Sequence, residues 1–164
     1  MAQLSIFNNN SFNSKFELYV DGASRNNPGQ AGAGIYIIKD NQALVKLGYY
    51  LGNKTNNQAE YLALLLGLIL IKKYITDKDN LEIMSDSLLL VKQVSQEYKV
   101  LNPILANLNN YARRLLNGLN YKIFHILRDK NVVADKLANQ AIDKKLNIPD
   151  EIKKELKEKL DIDI

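Results

Sequence analysis

The sequence predicts an α/β domain: a five-stranded mixed sheet with helices packed on its faces. Three observations lead there. Near the start, three strand-like segments joined by short polar turns read as an antiparallel meander. From Asn57 onward the pattern changes to helical stretches that alternate with short strands. An antiparallel start followed by α/β alternation sets parallel strands beside antiparallel ones, and such a sheet needs helices to cover it.

The elements follow in order. Residues 1–15 are polar, with Asn8, Asn9 and Asn10 in succession, and are expected to form a disordered N-terminal extension. Phe16, Leu18 and Val20 alternate with Glu17, Tyr19 and Asp21, the period of two of a strand. Asn26-Asn27-Pro28-Gly29 reads as a turn. Strands follow at 34–39 and 43–51, with Asp40, Asn41 and Gln42 between them. Residues 58–74 are apolar nearly all round and rich in Leu and Ala, the pattern of a buried helix. A short strand is expected at 81–85, helices at 87–98 and 103–116, a fifth strand at 121–127 and a helix at 132–145. Pro149 then opens a charged helix through about Leu160, in the first-turn position that Pro favours. The order is β-β-β-α-β-α-α-β-α plus a tail helix. Residues 16–145 form the domain, and 146–164 are a charged C-terminal helix or tail.

Composition excludes several classes of function. The 164 residues suit one domain with a core of its own. There is no Cys, so disulfides, thiolate metal sites and a Cys nucleophile are out. A net charge of +4 allows a polyanionic partner without demanding one, because a Lys-rich solvated surface explains it as well. Residues 1–15 lack the charged start and long apolar stretch of a secretory signal. The longest apolar run, Tyr61–Ile71, is too short to span a bilayer. A cytoplasmic monomer with no membrane contact is expected.

Most carboxylates read as surface groups: Asp77 and Asp79 in a loop, and six more in the charged tail. Four sit at element ends. Asp21 closes an apolar strand before Gly22, and Asp86 closes another before Ser87. Ligands of α/β sheets bind just beyond such strand ends. Glu60 and Asp135 fall near the starts of helices. Each has a structural explanation when taken singly: Asp86 as a helix N-cap, Glu60 as the partner of Asn57 in a capping box, Asp135 as a helix-dipole charge, Asp21 as a turn residue. Together, in a chain with one His and no Cys, they leave few other catalytic candidates. Clustered carboxylates repel and need a cation. Mg²⁺ suits oxygen ligands and keeps positions open for substrate phosphate. Spacing alone does not bring the four together in space.

The local wording adds more. Tyr19-Val20-Asp21-Gly22-Ala23-Ser24 leading to Asn27-Pro28-Gly29, then Thr55-Asn56-Asn57-Gln58-Ala59-Glu60, then Ser85-Asp86-Ser87, and finally Arg128, Asn131, Ala134-Asp135 and Leu137-Ala138-Asn139 stand in that order. They resemble the four motifs of ribonuclease H type 1, over about residues 16–145. The resemblance implies an RNase H-like fold in which three antiparallel strands precede the parallel ones. It implies that Asp21, Glu60, Asp86 and Asp135 bind two Mg²⁺ ions, with Mn²⁺ as the alternative, and are catalytic. It implies that Gly22, Asn27, Asn56, Asn57 and Arg128 contact the substrate, an RNA–DNA hybrid. The activity implied is endonucleolytic hydrolysis of the RNA strand that leaves 5′-phosphates. A binding module of the same fold, or a nuclease for another duplex such as double-stranded RNA, are the competing readings.

Two departures stand out. Many family members carry a His in the loop before the last carboxylate. Here the loop is Arg128-Asp129-Lys130-Asn131, as in some branches of the family. The sole His, His125, lies within the strand expected at 121–127 and is expected to be structural. Many members also insert a basic, Trp-bearing segment after the helix that follows the third carboxylate. Here Tyr98 runs almost directly to Pro103 and there is no Trp, so Arg113, Arg114 and the Lys-rich tail become candidates for holding the hybrid.

Overall fold

The computed structural model describes residues 13–164. The expected disorder of residues 1–12 lies outside the described residues. Residues 14 and 15 are held in place: Ser14 N donates to Asp79 Oδ1 at 2.9 Å, and Asn80 N donates to the Ser14 carbonyl at 2.9 Å.

The strands are β1 (Lys15–Arg25), β2 (Gly29–Lys39), β3 (Gln42–Lys54), β4 (Asn80–Ser85) and β5 (Asn120–His125). The helices are α1 (Asn56–Ile71), α2 (Leu88–Val94), α3 (Pro103–Leu116), α4 (Val132–Lys144) and α5 (Asp150–Leu160). The five strands form one sheet in the order β3-β2-β1-β4-β5. β1 pairs antiparallel with β2, and β2 with β3. β1 pairs parallel with β4, and β4 with β5. The expected mixed sheet, three antiparallel strands and then parallel ones, is the one observed.

The core follows from the alternation. Phe16, Leu18, Val20, Ile35 and Ile37 are fully buried. α1 is buried from Tyr61 to Ile71, because α1 packs on β1, β2 and α3 together. α4 packs on β2, β3 and β1. α5 buries Ile152, Leu156 and Leu160 beside Ile148, all in the main core, and Tyr111 Oη on α3 donates to Glu155 at 2.5 Å.

Several boundaries differ from expectation. α2 stops at Val94 rather than residue 98, because Gln96 takes a left-handed φ of 65° and the N–H groups of Glu97 and Tyr98 turn back to the Lys92 carbonyl. Pro149 is the cap of α5 rather than its first helical residue, and its carbonyl accepts from Ile152 and Lys153. Asp79 is not a surface acid. It is 9% exposed and accepts from Ser14 N, Thr76 N and Thr76 Oγ1. Burial alone would raise its pKa, but these hydrogen bonds hold it below the ordinary value.

Candidate active site

Two close backbone approaches assemble the site. Asp21 lies in β1 and is paired with Gly34 of β2. A methyl carbon on Gly34 would stand 1.9 Å from the Ala134 carbonyl oxygen, so only glycine lets the first turn of α4 rest there. That contact brings the next residue, Asp135, close enough to Asp21 for its charge to act on it. Gly22 plays the same part for α1. A methyl carbon there would stand 2.2 Å from the Ala59 carbonyl carbon. The Gly22 N–H donates to Glu60 Oε2 at 3.0 Å.

Asp86 arrives by strand register. β4 runs parallel to β1 with Val20 opposite Ser85, so the residue after each strand-paired position emerges at the same end of the sheet. One carboxylate oxygen from each of Asp21, Glu60 and Asp86 lies within 4.8 Å of the other two. Asp135 stands outside this group of three, and its charge acts on Asp21.

The simple structural roles do not account for three of the four. The capping box of α1 is Thr55 with Gln58, which leaves Glu60 free to face Gly22. The N-cap of α2 is Ser87, not Asp86. β1 continues to Arg25, so Asp21 is a strand residue rather than a turn residue. Asp135 does lie in the first turn of α4, where the helix dipole favours it.

The electrostatics are those of a site made for a cation. Burial, followed by the charges of Asp86 and Asp135, pushes the Asp21 carboxyl up from 3.8 to about 8, against the pull of Arg128. Burial, then Asp21 and Asp86, raises Glu60 well above the carboxylate range, although the Gly22 N–H favours its ionised form. The groups therefore resist sharing the space as three anions. All the donors are carboxylate oxygens, which fits a hard divalent cation.

The residues expected to touch substrate fall on separate segments: β1, the β1–β2 turn, the start of α1 and the turn before α4. Asn56 N donates to Asn27 Oδ1 at 3.0 Å, which joins the β1–β2 turn to the start of α1. Asn57 is exposed on the next position of α1. Arg128 is exposed and opens a short 3₁₀ turn at Arg128–Lys130, with its charge close enough to act on Asp21. Gly22 carries a packing role as well, as the point where α1 approaches β1.

Against protein families and known proteins, the family model described as "Reverse transcriptase-like" matches residues 19–141. The crystal structure of RNase H1 from Halobacterium salinarum is 37% identical, covers 79% of this chain and 98% of that one, and superposes with a TM-score of 0.75. The chain belongs to the type 1 ribonuclease H family. The ribonuclease HI of H. salinarum is 39% identical over 127 residues, which is 76% of this chain and 63% of that protein. The bifunctional protein Rv2228c of Mycobacterium tuberculosis is 36% identical over 79% of this chain and 36% of its own length. The chain thus spans less than two thirds of the length of each of these two relatives. LC11-RNase H1, isolated from compost by a metagenomic approach, is 35% identical with a TM-score of 0.74 and was crystallised in complex with an RNA/DNA hybrid.

In this type 1 ribonuclease H, two amides do more than motif matching suggested. Asn131 is 1% exposed and occupies the N-cap of α4, yet makes no cap hydrogen bond. Its Nδ2 instead donates to the Val20 carbonyl at 2.9 Å and to Asp86 Oδ2 at 3.3 Å. It therefore ties β1 to the third carboxylate. Asn139 Nδ2 donates to the Asp135 carbonyl at 3.0 Å and to Asp135 Oδ1 at 3.3 Å. An Asn four residues from Asp135 on either side was the available signal, and helix capping was the competing explanation.

His125 corrects an expectation. It ends β5 rather than sitting within a strand to 127, and it is exposed. β5 is the sheet edge next to β4, so its final residue reaches the site: Nε2 lies 3.3 Å from the Asp86 carbonyl oxygen. Its contact is with backbone, not with a carboxylate.

Proposed function

We propose that the protein hydrolyses the RNA strand of RNA–DNA hybrids endonucleolytically, with Asp21, Glu60, Asp86 and Asp135 holding two Mg²⁺ ions, Mn²⁺ being the alternative. The convergence of three carboxylates within 4.8 Å, with the charge of Asp135 acting on Asp21, is the observation that carries this reading. When bound, the ions would supply the charge that activates a water and stabilises the leaving oxygen of the phosphodiester.

The chain's own groups do the rest. Gly22 N–H and Asn131 Nδ2 fix the Glu60 and Asp86 carboxylates, so the ligand set is held before substrate arrives. The Asn27–Asn56 pair and Asn57 carry amides suited to 2′-hydroxyl and base-edge contacts, and a 2′-hydroxyl is what distinguishes RNA from DNA. Arg128 brings a cation beside the cluster for a phosphate. The relative crystallised with an RNA/DNA hybrid supports this choice of substrate.

On this reading residues 16–145 are the nuclease unit and 146–164 an appended helix that braces α3. One polypeptide supplies all four carboxylates, so a monomer working in the cytoplasm suffices. Among the described residues no helix is long and apolar enough to cross a membrane. The test is one assay on matched hybrid, RNA duplex and DNA duplex, with and without Mg²⁺. Cutting of the hybrid's RNA strand only, and only with the ion, is expected. Metal-independent cutting, or equal cutting of the DNA duplex, overturns the reading.

A further inference from the structure

Away from the carboxylates, the outer face of α3 carries a groove without a carboxylate in its lining. Its larger part, about 880 Å³, is bounded by Asn107, Asn110, Arg113, Arg114, Asn117 and Tyr121. A second part of about 330 Å³ shares Asn110 and Arg113 and adds Lys99 and Gln93. Asn107, Asn110, Arg113, Arg114 and Asn117 recur at helical spacing and are all exposed, while Leu105, Leu108, Ala112 and Leu115 face the core.

The cations here are unpaired, as most on this surface are among the described residues. Arg25, Lys73, Lys92 and Lys157 are each paired with a carboxylate. Among the described residues Lys99, Arg113 and Arg114 make no ion pair. The loop acid Glu97 is engaged by Lys92 at 2.8 Å and does not line the groove. Arg114 lies over the Tyr111 ring with its guanidinium 5.2 Å from the centroid.

The groove is also braced against the active-site helix. Tyr61 Oη donates to Gln93 Oε1 at 2.8 Å and accepts from Asn109 Nδ2 at 3.1 Å, and Tyr61 follows Glu60 on α1. Gln93 Nε2 reaches the Lys99 carbonyl at 3.4 Å. The groove's floor and the helix that carries Glu60 are therefore joined by hydrogen bonds.

We infer that this groove binds the sugar–phosphate backbone of the duplex outside the cleavage cleft, with Lys99, Arg113 and Arg114 on phosphates and the Asn side chains donating to phosphate or sugar oxygens. It stands in for the basic insertion that this chain lacks between Tyr98 and Pro103. Amides and unpaired cations without base-reading geometry make a contact that ignores sequence. Asn107 to Asn117 spans about 15 Å of helix, the rise of roughly four base pairs. The inference rests on the nuclease reading above, but its measurement is separate.

The experiment compares the wild type with the triple variant Lys99→Gln, Arg113→Gln, Arg114→Gln, using hybrids of about 10 and about 30 base pairs, on the ground that only the longer extends past the cleft. Binding is measured without metal across a salt series, and cleavage with Mg²⁺. The long hybrid is expected to bind the variant roughly tenfold more weakly, with the salt slope shallower by about two to three units. The kcat should be unchanged and the short hybrid unaffected. Arg113→Lys with Arg114→Lys, which keeps charge, should retain most of the slope. A control variant, Lys46→Gln, Lys72→Gln, Lys78→Gln, removes equal charge from exposed positions elsewhere. An unchanged slope in the groove variant, an equal loss in the control, or an equal loss on short and long hybrids overturns the inference. Failure of the wild type to cut hybrid sinks the nuclease reading instead, while the metal-free binding series still decides the groove.

Discussion

The backbone N–H of Gly22 donates to Glu60 Oε2 at 3.0 Å, and this bond joins the central strand to the helix that carries the second carboxylate. It exists because Gly22 has no side chain: a methyl carbon would meet the Ala59 carbonyl carbon at 2.2 Å. Gly22→Ala is therefore expected to push α1 off β1. The cost should be at least about 1–3 kcal/mol of stability, as for other overpacked sites. Cleavage should fall further than folding, because Glu60 leaves the cluster. Thermal melting and cleavage assays on one preparation check this, and native values in both would contradict it.

Asn131 bridges the Val20 carbonyl and the Asp86 carboxylate from a buried position. Asn131→Ala removes both bonds and should cost about 1–3 kcal/mol through the polar groups left behind. Because Asp86 loses its orienting partner, Mg²⁺ affinity should drop roughly 10–100-fold. Melting curves and a Mg²⁺ titration of activity test the two halves separately. A helix-cap role alone would lower stability and leave the titration midpoint in place.

The raised carboxyl pKa values give a pH dependence with a definite sign. Folding moves Asp21 from 3.8 to about 8, so the folded chain keeps a proton that the unfolded chain releases. That contribution is complete below about pH 4, shrinks as pH rises and is lost above about pH 8. Glu60 shifts in the same direction. Cation binding needs the ionised forms, so it strengthens over the same window. The metal-free protein should melt at a lower temperature near pH 8 than near pH 5, and Mg²⁺ should stabilise it more at the higher pH. Mg²⁺ stabilisation that is equal at both pH values would count against the cluster as the ion's site.

His125 is exposed and bonds only the Asp86 backbone among the described residues, at 3.3 Å. His125→Ala should cost under about 1 kcal/mol of stability, the worth of one exposed hydrogen bond. Turnover should change less than about tenfold, roughly 1.4 kcal/mol of barrier. The check is kcat with a melting curve for the variant. A loss of several hundredfold would make the imidazole part of the chemistry.

Much of the fold could be read from residue patterns because each strand and helix declares its buried face locally. Phe16, Leu18 and Val20 alternate, and Tyr61 to Ile71 is apolar without interruption. The four carboxylates were legible as strand-end and helix-start residues. Their convergence was not, since it depends on Gly22 and Gly34 admitting backbone from elements 38 and 100 residues away, and a glycine in a strand looks the same whether or not a helix crosses it. Asp79 and His125 were misjudged for a related reason. Loop acids are usually solvated, but Ser14 arrives from 65 residues away to bury this one. A His flanked by Phe124 and Ile126 suggests an interior strand, yet β5 is an edge whose side chains stay largely open to solvent.

The most direct test of the central claim is strand-resolved cleavage of an end-labelled RNA–DNA hybrid by the wild type and Asp86→Asn in Mg²⁺. The substitution keeps the shape of the side chain and removes one ligand charge from the group of three. The account predicts that the wild type cuts the RNA strand and leaves the DNA strand whole. It predicts that Asp86→Asn folds as well or better, with repulsion relieved, and loses cleavage by at least about a hundredfold, roughly 2.7 kcal/mol of barrier. Near-native cutting by Asp86→Asn, or cutting of the DNA strand by the wild type, would contradict it.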